Sequence, residues 1–247
     1  MKILGIIPAR FDSSRFPGKP LIDILGKSMI QRVYERSRMC ASLSDVVVAT
    51  DDTRIFDHVI SFGGKAMMTS KSHQTGTDRC VEIINSVVES YSAVINIQGD
   101  EPTIDPRQLE LVASCFQNPN CELATLALPI KSEEILFDSS KIKLVIDQAF
   151  NAVYFSRQAI PFQQKPQSEW LTHFNYLKHV GIYGYRTDVL NAIGKLPPSS
   201  LELAESLEQL RWMESGYKIQ VRLTDIDSIS VDIPKDVNRV IDILNRG

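Results

Sequence analysis

No stretch of the 247-residue chain approaches the ~20 consecutive apolar residues of a membrane-spanning helix. The opening MKILGIIPAR is too short an apolar run for a secretory leader with its cleavage site, so a cytoplasmic location is expected. Neither charge sign dominates. The 27 Lys+Arg against 30 Asp+Glu leave a net charge of -3, which argues against general binding to nucleic acid or a membrane surface. Cysteine is scarce: Cys40, Cys80, Cys115 and Cys121 form no Cys-x-x-Cys pair and no Cys/His cluster of zinc spacing. They read as free thiols packed like small apolar residues in a reducing compartment. There is no low-complexity tract and no internal period of 20–50 residues, which excludes solenoids and propellers. Neither G-x-G-x-x-G nor G-x-x-x-x-G-K-[ST] follows the first strand. That absence argues against a dinucleotide oxidoreductase.

What is there is ordinary globular composition, 43% apolar and 23% charged, in a chain long enough to bury its own core. Strand-like and helix-like segments alternate through the first half. Residues 3–7 are an apolar run before Pro8. Ser28 is positioned to cap a helix to about Cys40. DVVVATDD is a β-branched strand, TRIFDHVISFGG a helix closed by glycines, AVINIQGDEP a further strand, and 106–116 a helix. This order predicts parallel strands with crossover helices, in a sheet covered on both faces. ELATLALPI, IKLVID, AVYFSRQ and HVGIYGYR are strands with fewer helices between them. Residues 163–178 read as a polar loop or lid. LELAESLEQLRWMESG reads as one helix with Leu203, Leu207 and Leu210 as its buried stripe. KIQVRLT and SISVDIP read as strands, and the last helix runs from about 235 to 244. The expected architecture is a single α/β domain over 1–247. Its sheet is mostly parallel, with a smaller β-rich subregion within about 123–190.

Ligands in such sheets sit beyond the carboxyl ends of the strands. The first of these ends carries IIPARFDSSRFPGKPL, residues 6–21. Arg10, Arg15 and Lys19 supply fork-shaped and point-like cations, and Gly18 permits close backbone approach. Pro8, Pro17 and Pro20 stiffen the loop. In a chain of slight negative charge this is a local anion site, suited to phosphates. The alternative is a solvated loop whose cations pair with surface acids.

PARFDSSRFPGKPL (8–21), NIQGDEP (96–102), YFSR (154–157), HVGIYGYR (179–186), LEQLR (207–211) and SVDIP (230–234) occur in this order. Together they resemble the 3-deoxy-manno-octulosonate cytidylyltransferase family over nearly the whole chain. The resemblance implies an α/β fold with a doubly wound, mostly parallel sheet of the nucleotide-diphospho-sugar transferase type and a smaller β-rich dimerisation region. It also implies a homodimer, with CTP and a 3-deoxy-sugar acid (Kdo) as substrates. CMP would pass from CTP to the anomeric hydroxyl of the acid, releasing pyrophosphate, with Mg2+ as cofactor and the product feeding lipopolysaccharide synthesis.

Residue by residue, the resemblance implies that Arg10, Arg15, Lys19 and Asp100 carry catalysis. Pro8, Ala9, Arg10, Ser14, Arg15, Lys19, Gln74, Thr75, Gly76, Arg79 and Gln98 would bind the nucleotide. Gln98, Arg157, His179, Tyr183, Glu208 and Gln209 would bind the sugar acid, and Asp100 and Asp232 the magnesium. Each residue also has a structural reading: SHQTGTDR (72–79) as a capping turn, His179 as a satisfied strand residue, Glu208 as a solvent-facing acid, the aspartates as turn formers beside proline. Four positions depart from the family pattern: Lys178 in place of an arginine, Phe162 where tryptophan is common, and Ile233 and Lys235, which make VDIPKD of VDTPED. Lys143 keeps the family's strand lysine. An 8-amino-3,8-dideoxy sugar acid or another ulosonic acid is the alternative substrate. A uridylyltransferase and a non-catalytic nucleotide-binding regulatory module are the alternative functions.

Overall fold

The computed structural model describes residues 1–12 and 16–245. Its strands are β1 (Ile3–Ala9), β2 (Asp23–Ile24), β3 (Lys27–Ser28), β4 (Asp45–Thr50), β5 (Ala66–Met68), β6 (Ala93–Asn96), β7 (Leu123–Pro129), β8 (Lys143–Ile146), β9 (Ala152–Ser156), β10 (Leu177–Arg186) and β11 (Ile219–Leu223). The helices are α1 (Met29–Arg38), α2 (Thr53–Ser61), α3 (Gly76–Ser86), α4 (Pro106–Cys115), α5 (Glu133–Phe137), α6 (Trp170–His173), α7 (Thr187–Ile193), α8 (Ser200–Glu205), α9 (Gln209–Glu214) and α10 (Pro234–Leu244).

The main sheet runs β11-β7-β10-β6-β1-β4-β5, with the hairpin β8–β9 added where β8 pairs β10. Pairs β1–β4, β1–β6, β4–β5 and β11–β7 are parallel, and β10 is antiparallel to both of its main-sheet neighbours. β1 and β4 are buried almost throughout, as strands covered on both faces must be. One apolar cluster, built on Ile7, Ile30, Val112 and Ile182, fills one face, and a second, built on Ile6, Ile83, Tyr185 and Trp212, fills the other. The chain moves outward from β1 through β4 and β5, then returns to β6 on the other side of β1. That reversal is the switch point at which doubly wound sheets open a crevice.

Local chemistry fixes the helix starts. Ser28 accepts the Gln31 N–H at 3.1 Å to open α1, and Asp52 accepts the Arg54 N–H at 2.9 Å to open α2. Thr75 with Asp78, and Asp105 with Gln108, close reciprocal capping boxes on α3 and α4. All four cysteines are free and buried, as expected of packing residues.

Three expectations are corrected. Residues 200–215 form two short helices rather than one. Ser206 adopts a left-handed φ of 54° between α8 and α9, and Leu203 stands 70% exposed while Leu207 and Leu210 are buried. The break has a visible cause. The Leu207 N–H returns to the Glu202 carbonyl at 3.2 Å, and Arg157 Nε donates to the Glu205 carbonyl at 2.8 Å, so the end of α8 is closed by other partners. SISVDIP is not a strand, because its backbone is tied to a turn and a helix cap: the Val231 N–H donates to the Asp100 carbonyl at 2.9 Å and the Asp232 N–H to Asp236 Oδ2 at 2.9 Å. Residues 163–178 are not simply polar loop. They contain α6, whose Trp170 is buried and stacks on Tyr176.

Candidate active site

The carboxyl ends of β1 and β6 lie side by side, and the N-terminus of α3 faces them. Between them a cleft of about 460 Å³ is lined by Pro8, Ala9, Arg10, Asp12, Lys19, Gln74, Thr75, Gly76, Arg79, Gln98, Gly99, Asp100 and Asp232, among others. Glycine at 99 is required by the packing: a Cβ there would sit 2.7 Å from the Pro8 carbonyl oxygen. The two strand ends can touch only because that position has no side chain.

Lys19 follows Gly18, which holds a φ of 72°, and opens a short turn. This delivers its Nζ to Asp100 Oδ2 at 2.7 Å. The cation-bearing loop after β1 and the turn after β6 are thus joined by one ion pair inside the cleft. Asp232 reaches the same cleft from the distant segment before α10. Ser14 and Arg15 lie outside the described residues. Arg79 also lines the cleft, with its guanidinium engaged: Nη1 donates to Thr69 Oγ1 at 2.5 Å and to the Ser70 carbonyl at 3.3 Å, and Nη2 to Asp51 Oδ2 at 2.7 Å. It braces the 69–79 loop as well as facing the cleft. Thr75 is indeed a helix cap, and the capping turn and the cleft wall are the same residues. The helix it caps starts at Gly76.

A second chamber of about 250 Å³ adjoins the first and shares Pro8, Gly76 and Gln98 with it. Its remaining walls include Thr77, Asn96, Tyr183, Tyr185, Glu208, Gln209 and Trp212. Among the described residues, two buried polar atoms of its wall residues have no protein partner, Tyr183 Oη and Trp212 Nε1, while the Tyr185 hydroxyl lies beside Thr77 and Asn96. Such groups carry a desolvation cost until something bonds to them. Glu208 accepts a hydrogen bond from Thr77 Oγ1 at 3.1 Å. Burial pushes its pKa up to about 7, with Thr77 and Arg211 pulling it back. The side chain is therefore a carboxyl that donates or accepts near neutrality, rather than the solvent-facing acid its sequence neighbours allowed. Gln98 is fixed by its Nε2–H to the Gly181 carbonyl at 2.8 Å.

Two residues expected at the sugar acid are not among the residues lining either chamber. Arg157 is bound to carbonyls of Glu205 and Ser206, and its backbone N–H donates to the Glu205 carboxylate at 3.0 Å. His179 Nε2 bonds Thr125 Oγ1 at 2.9 Å, with its ring between Phe155 and Tyr183. Burial drives its pKa down to about 3, so the imidazole is neutral. Lys143 is fully buried and donates to the carbonyls of Asp138, Lys141 and Arg157. Lys178, the replacement for arginine, pairs with Asp227 at 2.6 Å.

Sequence reasoning did not single out Asp12, Thr77, Asn96, Tyr185 or Trp212 as chamber residues. Tyr185 lies in the same HVGIYGYR strand as Tyr183, two positions on and so on the same face. Period-2 spacing was the signal that could have found it. Trp212 is three residues past Gln209 on α9, one helical turn along.

A family model described as cytidylyltransferase matches residues 4–219. The chain is 50% identical to the 3-deoxy-manno-octulosonate cytidylyltransferase of Bacteroides thetaiotaomicron over 99% of this chain and 98% of that protein. It is 44% identical to the enzyme of the same name from Syntrophobacter fumaroxidans over 99% and 97% of the two chains. Among solved structures, a CMP:2-keto-3-deoxy-manno-octonic acid synthetase complexed with CTP superposes with a TM-score of 0.92 at 44% identity, covering 100% of this chain and 99% of that one. A 4-diphosphocytidyl-2C-methyl-D-erythritol synthase from Anaerococcus prevotii shares the fold, with a TM-score of 0.65 at 11% identity over 99% of each chain.

Proposed function

The chain belongs to the cytidylyltransferase family, and within it to the 3-deoxy-manno-octulosonate cytidylyltransferases, and from that premise we propose how its two chambers divide the reaction. It is a nucleotidyltransferase that transfers CMP from CTP to the anomeric hydroxyl of Kdo, giving CMP-Kdo and pyrophosphate. The anomeric oxygen forms a bond to the α-phosphorus as the bond from that phosphorus to the bridging oxygen breaks. The electron pair leaves with pyrophosphate, and the hydroxyl proton is released.

The larger cleft takes CTP and the smaller chamber takes the acid. The observation that carries this reading is their shared wall of Pro8, Gly76 and Gln98, which brings the reacting ends of two ligands together. Arg10 and Lys19, with Arg15, neutralise the triphosphate so that an anionic acid can approach it. Tyr183, Glu208 and Gln209 hold hydroxyl groups of the sugar acid, since the chamber's unpaired donors and acceptors match a polyhydroxy ligand.

Asp100 and Asp232 in one cleft are a hard oxygen donor pair, and magnesium is commonly held by one or two carboxylates together with substrate phosphates. The residues therefore fit the ion, and these two would hold it. When bound, magnesium supplies charge neutralisation at the phosphates. No helix among the described residues is long and apolar enough to cross a membrane. With four free buried thiols, the protein suits the cytoplasm. The resemblance also makes a homodimer the expected assembly, and exposed apolar residues such as Phe150, beside β9, and Val153, within it, are available to such a contact. CMP-Kdo would enter lipopolysaccharide synthesis.

Kinetics of two variants test the division of chambers. Lys19→Met should raise the CTP KM or lower kcat without raising the Kdo KM. Tyr183→Phe should raise the Kdo KM and leave the CTP KM near wild type. Tyr183→Phe acting on CTP alone would refute the assignment.

A further inference from the structure

Asp100 and Asp232 are far apart in sequence, and the segment carrying Asp232 has no strand or helix between β11 and α10. Something other than secondary structure must set its position against the β6 turn. On the downstream side, Asp236 Oδ2 accepts the N–H groups of Asp232 at 2.9 Å and Ile233 at 3.0 Å, tying the aspartate to the first turn of α10. Val231 is buried against Ile24, Met29 and Val240. On the upstream side the segment is strapped to the Asp100 turn itself. The Asp100 carbonyl accepts the Val231 N–H at 2.9 Å. The next residue, Glu101, accepts a hydrogen bond from Ser228 Oγ through its carboxylate.

Glu101 is only 8% exposed and is not among the residues that line the cleft. It belongs to the same turn as Asp100: its N–H reaches the Gln98 carbonyl at 3.4 Å, and its own carbonyl accepts the Ile104 N–H at 3.0 Å. A buried carboxylate is expensive to retain without a task. Its position one residue after one aspartate and its bond four residues before the other give it one. Lys178 supports the strap alongside, donating to both Asp227 oxygens at 2.6 and 2.8 Å. Gln108 holds the Ile226 carbonyl at 3.1 Å.

We propose that Glu101, through Ser228, is a positioning residue that fixes the separation of Asp100 and Asp232 and so sets the affinity of the cleft for a divalent cation. The inference rests on the magnesium reading above. It does not make Glu101 a ligand. The bond acts by removing a degree of freedom from the Asp232 strap, as partners behind metal ligands do.

The test uses the full chain with CTP. Manganese binding is measured by electron paramagnetic resonance, without turnover, alongside the magnesium dependence of pyrophosphate release and a thermal melt. Ser228→Ala and Glu101→Ala should each weaken manganese binding by about tenfold, in line with losses behind metal ligands. They should raise the magnesium concentration for half-maximal turnover by a similar factor, while kcat at saturating magnesium stays close to wild type. Glu101→Gln keeps an oxygen acceptor for Ser228 and should recover most of the affinity. The Glu101→Ala/Ser228→Ala double variant should lose no more than either single one. Wild-type manganese affinity in a stably folded Ser228→Ala would overturn the proposal, even if Glu101→Ala fails to fold. Failure of the wild type itself to bind manganese with CTP would instead sink the magnesium reading, and this inference with it.

Discussion

Lys19 and Asp100 meet at 2.7 Å at the point where a triphosphate's charge would arrive. The pairing bears on the simplest expectation for two carboxylates sharing a cleft, which is mutual repulsion. A cation from the loop already relieves Asp100. Asp100→Asn and Asp232→Asn should therefore lower turnover at limiting magnesium by roughly a hundredfold or more, with melting temperatures close to wild type. Titrating magnesium against rate for each variant, with melts in parallel, decides the matter; near-normal turnover would remove that aspartate from the metal site. Glu208 gives a second prediction. Its pKa of about 7 in the folded protein against an ordinary 4.5 means the fold keeps a proton that the unfolded chain has released. This group's contribution to stability is full below the lower value and disappears as pH rises through the higher one. Without ligands, Glu208→Gln should flatten the fall in melting temperature across that window. An unchanged slope would show that the carboxyl titrates normally.

Residue identity was readable where a type was chemically conspicuous in its place. Lys19 and Asp100 stood out as a cation in a stiff loop and an acid at a strand end. Tyr185 and Trp212 did not, because their apolar bulk also fits a core, and both are indeed buried. Only the polar tips distinguish a chamber wall from packing: the Tyr185 hydroxyl lies beside Thr77 and Asn96, and Trp212 Nε1 has no partner among the described residues. Such a property depends on neighbours brought from four elements.

Among the elements, the strands of the first half and their capped helices were legible, since apolar runs and Ser, Asp and Thr caps are local signals. Residues 200–215 were not. The leucine spacing fits one helix, but the break comes from Arg157, about fifty positions away, taking the Glu205 carbonyl. Ser206 holds a φ of 54° there, a region costly for residues other than glycine. Ser206→Gly should raise stability by up to about 1 kcal/mol, since the strain relieved exceeds the entropy added to the unfolded chain. Urea unfolding measures it, and a loss would place the strain elsewhere. Gly184 in β10 makes the opposite case. A Cβ there would lie 2.5 Å from the Phe116 ring and 2.7 Å from Val112. Gly184→Ala should destabilise by on the order of 1–3 kcal/mol, the range for an overpacked core. Neutral behaviour in the same assay would mean that α4 moves away from the sheet at little cost.

At the scale of the whole molecule, alternation made a parallel sheet covered on both faces legible over the first half, which determines where the site must be, while the doubly wound order came with the family resemblance. What alternation could not supply is how the second half joins the first. β10 enters the sheet antiparallel between β6 and β7, and only this insertion brings Tyr183 beside Gln98 and Asn96. The two-chamber arrangement makes nucleotide choice a property of the assembled crevice. Groups in the 72–79 loop and the backbone near Pro8 that bond one base edge would be left unpaired by another. We therefore expect kcat/KM for CTP to exceed that for UTP by at least about a hundredfold. The measurement that tests the account most directly is the rate of pyrophosphate release from CTP with Kdo. It is read against CTP alone and against CTP with the 8-amino analogue or N-acetylneuraminate. The account predicts rapid release that requires both CTP and Kdo and is fastest with Kdo. CTP bound without release in the presence of Kdo would contradict it and leave a nucleotide-binding regulatory module.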